Sequence, residues 1–154
     1  MPRRIEMSWK SLGVLLAVMA FCTSLMAQND PFLGVWELNL EKTKNYPQQS
    51  QTIINVPTPD GFKSIRATIG KDRASAEVHP VAFDGKPHQT TGGDPREISY
   101  KRLDANTIER THNRNGTISV DQEQVSKDGR TLTVTQAESV RVYDKQFSVQ
   151  KAGR

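Results

Sequence analysis

The chain has 154 residues, 21 basic and 17 acidic, with a formal net charge of +4 and 35% hydrophobic residues. That length suits one domain with a single core. Its evenly mixed charge leaves no basic face of the kind nucleic acid needs, and one cysteine, Cys22, excludes a disulfide framework.

Sulfur is confined to the start: Met1, Met7, Met19, Met26 and Cys22 all precede Gln28. Arg3, Arg4 and Lys10 make a positive segment, an uncharged run follows from Ser11, and small residues return at Ser24 and Ala27. This is the layout of a secretory signal peptide spanning 1–27. A membrane-spanning helix needs about 20 mostly apolar residues; the run here is shorter and softened by Thr23 and Ser24. Phe21 stands where a lipoprotein signal wants Gly or Ala, and Ile5-Glu6-Met7 does not continue a twin-arginine pattern after Arg3-Arg4. The expectation is therefore general secretory export, no membrane anchor after cleavage, and a monomeric, secreted or periplasmic domain over 28–154. That body has 18 basic residues against 16 acidic, and 37 of its 127 residues are apolar. So lean a core implies a partly polar interior.

The body is punctuated as hairpins. Asp60-Gly61, Asp84-Gly85, Asn115-Gly116 and Asp128-Gly129 accept positive φ in tight turns. Alternation and β-branching predict strands over 32–40, 52–56, 62–69, 76–83, 97–103, 107–113, 117–126, 131–136 and 139–143, with a short last strand over 147–149. Pro57 and Pro59 are expected to end the second strand, and Pro80 to interrupt the fourth. The segment from Pro87 to Pro95 reads as the one extended loop, a lid or rim. With no amphipathic helix, the pattern predicts an all-β, antiparallel up-and-down barrel of about 8–10 strands, or a sandwich. Closure would remove exposed edges.

No motif in the body signals catalysis or a cofactor. His79, His88 and His112 are scattered, which does not favour a metal site. There is no Gly-x-Ser-x-Gly, and Glu97, Glu109, Asp121, Glu123 and Glu138 read as strand carboxylates, with only geometry able to pair them for acid–base work. Gly92-Gly93-Asp94-Pro95 leads towards a strand and reads as a turn, not a phosphate cradle. Asn115-Gly116-Thr117 fits an N-glycosylation pattern but reads first as a hairpin turn. Lys101-Arg102 and Arg110 with Arg114 read as solvated strand faces. The chain is read as no enzyme, with no cofactor. A ligand cavity, if one exists, would be lined by Phe62, Ile65, Val81, Phe83, Tyr100, Val120 and Val142; the alternative is that these residues fill the core.

The opening Asp30-Pro31-Phe32-Leu33-Gly34-Val35-Trp36-Glu37-Leu38-Asn39 resembles the first strand of lipocalin-like proteins, with its Gly-x-Trp. With Glu41-Lys42-Thr43-Lys44, Phe83-Asp84-Gly85-Lys86-Pro87 and Val125 to Val134, it is similar to small secreted bacterial proteins of uncharacterised function. The resemblance implies a barrel whose mouth binds a small hydrophobic or amphipathic molecule. It also implies that Trp36 packs across the closed end and that Arg141, from a late strand, covers it. A rival expectation is a non-enzymatic protein–protein interaction module of the cell envelope.

Overall fold

The computed structural model describes residues 30–148. The signal-peptide reading of 1–27, and Val149 of the last strand expected, lie outside the described residues. Among the described residues ten strands follow in chain order: β1 (Gly34–Leu38), β2 (Ser50–Thr58), β3 (Gly61–Ile69), β4 (Ala74–Ala82), β5 (His88–Gln89), β6 (Glu97–Arg102), β7 (Thr107–Arg114), β8 (Thr117–Val125), β9 (Thr131–Gln136) and β10 (Ser139–Phe147). They form one antiparallel sheet in the order β4-β3-β2-β1-β10-β9-β8-β7-β6-β5. Apart from the β1–β10 pairing, neighbours in the sheet are neighbours in sequence. The two ends of this sheet approach each other where Val78 and Thr91 exchange both backbone hydrogen bonds at 2.8 Å. The result is an almost closed up-and-down barrel.

Local chemistry sets the corners. Arg114 pairs with Thr117, leaving Asn115 and Gly116 as a two-residue turn with φ of 50° and 83°, as Asn-Gly favours. The β2–β3 turn is Pro59-Asp60, one residue earlier than the Asp-Gly pattern predicts, because Thr58 already pairs with Gly61. β2 runs through Pro57, since the pairing to β1 ends at Asn55 and the missing amide leaves no ladder bond unmade on that side. β4 runs through Pro80 for a similar reason: its outer edge is bridged only at Val78. The Pro87–Pro95 segment is not a free lid. It contributes β5, which pairs with β6, and then supplies Thr91 to the seam.

The apolar core occupies one end of the barrel. Phe32, Trp36, Ile53, Phe62, Val81, Ile98, Tyr100, Ile108, Val125, Leu132, Val134 and Tyr143 are buried there in one cluster. The turn before β1 closes that end: Leu33 N–H donates to Asp30 O at 3.1 Å, and the Phe32 carbonyl accepts from Trp36 Nε1 at 3.0 Å and from Asn55 Nδ2 at 2.8 Å. Gly34 is required here. Its φ is 124°, and a Cβ would lie 2.4 Å from the Phe147 carbonyl oxygen, beside the irregularity where β1 shifts register against β10.

Candidate functional site

The other end of the barrel is polar. Successive side chains of a strand point to opposite faces, and in this half the inward set comprises Arg66 on β3, Glu77 and His79 on β4, Arg110 and His112 on β7, Asp121 and Glu123 on β8, and Arg141 on β10. Arg66, Arg110, Asp121, Glu123 and Arg141 are all buried, between 1% and 7% exposed. They line or underlie an open cavity of about 660 Å³, whose wall also includes Tyr46, Gln51, Thr68, Ser119 and Gln136.

A ladder of charges forms its floor. Arg66 Nη2 donates to Glu123 Oε1 at 2.8 Å; Arg110 Nη1 lies 3.0 Å from the same oxygen, close enough for an ion pair but not aligned as a hydrogen bond. Arg110 Nη2 donates to Asp121 Oδ2, which also accepts from Arg141 Nη2 at 3.1 Å and meets His112 Nε2 at 3.2 Å. Burial opposes the charge of each member, but the partners prevail. The Asp121 carboxyl is held well below the usual carboxylate range by its bond to His112 and by Arg110 and Arg141, and Glu123 is lowered by Arg66 and Arg110. Arg66 and Arg110 are raised despite burial, with Glu123 the leading cause. Both carboxylates, Arg66 and Arg110 are therefore charged at neutral pH.

The arginines are not saturated. Nε of Arg66, Arg110 and Arg141, and Oδ1 of Asp121, have no hydrogen-bond partner among the described residues. Arg141 gives one nitrogen to Asp121, and its guanidinium lies 5.2 Å over the Tyr46 ring at the cavity wall. Gln51 fixes that wall: its Nε2 donates to Thr68 Oγ1 at 2.7 Å and to the Tyr46 hydroxyl at 3.1 Å, while its Oε1 accepts from Tyr143.

Two histidines face inward, and neither arrangement favours proton transfer. Burial pushes the His79 imidazole down to about 2, so it is neutral; its Nε2 lies 2.7 Å from the Tyr100 hydroxyl, which burial pushes up to about 12. His112 is also lowered by burial, and its partner Asp121 is committed to two arginines. No hydroxyl among the described residues hydrogen-bonds to His112 as a nucleophile would. His88 sits apart, on Asp84 at 3.1 Å. No group of three or more His, Cys, Asp or Glu among the described residues is arranged to hold a metal ion.

The apolar residues proposed as cavity lining fall elsewhere. Phe62, Val81 and Tyr100 point inward but are buried in the packed apolar end. Phe83 packs against that cluster and, with Tyr100, lines a shallower pocket of about 410 Å³ in the barrel wall. Ile65, Val120 and Val142 alternate with buried Arg66, Asp121 and Arg141, which puts them on the outer face; Val120 is 48% exposed. None of the seven lines the larger cavity. Trp36 is buried at the closed end, but the cation over its ring is Lys145 Nζ, 4.5 Å from the centroid, and not Arg141. The register decides this: Trp36 pairs with Lys145, whereas Arg141 lies four residues back along β10. Arg110, read from the sequence as part of a solvated face, and Asp121 and Glu123, read only as strand carboxylates, are interior. A signal was present in their spacing, since Arg110 and Asp121 are direct cross-strand partners.

No protein-family model matches the chain, and none of the curated proteins matches it. Among solved structures, the barrel is similar to a Schistosoma mansoni fatty acid binding protein in complex with arachidonic acid, with a TM-score of 0.52 at 14% identity over 79% of this chain and 99% of that one. The likeness is one of fold, and it identifies the architecture as a barrel of the lipocalin-like kind.

Proposed function

We propose that this protein is an exported, non-enzymatic receptor for a small amphipathic organic acid, which enters the open end of the barrel and presents its anionic group to the arginines of the floor. The observation that carries this reading is Arg141: its guanidinium borders the cavity, lies 5.2 Å over the Tyr46 ring, and among the described residues has only one of its donors engaged, by Asp121. A planar guanidinium with free donors recognises a carboxylate more tightly than a point charge does. The packed apolar end supports the same direction of entry, since the side chains there fill their own half of the barrel. Asp121, whose Oδ2 meets Arg110, Arg141 and His112, favours binding over acid–base chemistry.

The test is calorimetric titration of the protein, recovered from cells expressing the full chain, with short alkanoates. Micromolar to low-millimolar binding of butyrate or hexanoate, weakened about tenfold or more by Arg141→Gln, is expected. Equal binding by the parent and Arg141→Gln would overturn the assignment of the anion to this residue.

A further inference from the structure

We infer that the ligand of this cavity carries two separated acidic groups, one for the floor and one for the rim, an inference that rests on the anion-binding reading above. At the floor, Arg66, Arg110 and Arg141 face two carboxylates, Glu123 and Asp121. At the rim the same imbalance recurs: Arg96 pairs with Glu77, while Arg73 and Arg114 share Asp94, at 3.6 and 3.1 Å. Each level thus holds one arginine more than it has carboxylates, and the residues of both levels other than Glu123 line the same cavity. A single compact anion would neutralise one level and leave the other.

The rim is suited to capture and the floor to discrimination. Arg73 and Arg114 have side chains 71% and 53% exposed, and ion pairs of that kind contribute little and rearrange at little cost. A ligand carboxylate can therefore draw Arg114 away from Asp94 without unfolding anything. The floor arginines are fixed in the packed interior. Arg110 and Arg114 lie four residues apart on the same face of β7, so the two levels are separated by about 13 Å at the backbone. The ligand that fits is an elongated dianion, such as an α,ω-dicarboxylate, rather than a doubly charged phosphate.

Calorimetry at low ionic strength would compare butyrate, inorganic phosphate and the straight-chain dicarboxylates from succinate to sebacate. Because the second contact is intramolecular once the first is made, the best dicarboxylate is expected to bind at least about tenfold tighter than butyrate. Arg114→Gln, at an exposed position, is expected to bring that affinity down to the level of butyrate. If butyrate binds and no dicarboxylate exceeds it, or if phosphate matches the best of them, the two-level inference fails while the anion site stands. If none of the probes binds to protein whose far-ultraviolet circular dichroism reports an intact sheet, both readings fail.

Discussion

Replacing Asp121 with Asn tests whether the charge ladder holds the barrel together. Asp121 is 1% exposed, and its Oδ2 is the meeting point of Arg110, Arg141 and His112. Each hydrogen bond to a charged partner contributes about 1.5–3 kcal/mol, and removing one member of a buried pair costs about 3–5 kcal/mol because the other charge is left uncompensated. Asparagine keeps the shape and one neutral acceptor, so the loss should fall near the lower figure, about 3–4 kcal/mol. For a domain of this size that lowers the melting temperature by roughly 10–20 °C. The assay is thermal unfolding followed by circular dichroism at pH 7, with Asp144→Asn as the comparison. Asp144 pairs with Lys42 at 3.0 Å, but the two side chains are 38% and 54% exposed, so its neutralisation should cost less than about 1 kcal/mol. If Asp121→Asn melts within about 3 °C of the parent, or no lower than Asp144→Asn, the buried ladder does not contribute as argued.

Acid should weaken the fold in two stages. His79 has a folded-state pKa of about 2 against an ordinary 6.5, so between these values the unfolded chain binds a proton that the native state refuses. Stability therefore falls as pH drops below 6.5, by about 1.4 kcal/mol per unit, or about 2 kcal/mol between pH 7 and pH 5. Urea unfolding across that range should show the slope, and His79→Gln should flatten it; an equal slope in the variant would refute the cause. Asp121 and Glu123 have depressed folded-state values, so their contribution is intact above the ordinary values of 3.8 and 4.5 and is lost only in more acid solution. At the closed end, Gly34→Ala would place a methyl 2.4 Å from the Phe147 carbonyl oxygen at a φ of 124° and should cost about 2–4 kcal/mol in urea unfolding. A loss under about 0.5 kcal/mol would show that β1 and β10 separate freely there.

Nine of the ten strands, their antiparallel pairing and most of the corners were legible in the chain, because hairpin chemistry is local; β5, inside the segment read as a loop, was not. Asn115-Gly116 fits its turn for reasons contained in two residues. The Gly34-Val35-Trp36 pattern likewise marked the closed end. Which face of each strand looks inward was decided only by tertiary structure. The usual rule puts apolar residues inside, yet Ile65, Val120 and Val142 lie outside, while Arg66, Asp121 and Arg141 alternate with them on the inner face. Period-two alternation cannot tell a polar interior from a polar surface, since the two differ only by a shift of one residue. A buried arginine is tolerated only where a carboxylate from another strand reaches it. Arg66 and Glu123, 57 residues apart in the chain, meet only because the sheet curls into a barrel.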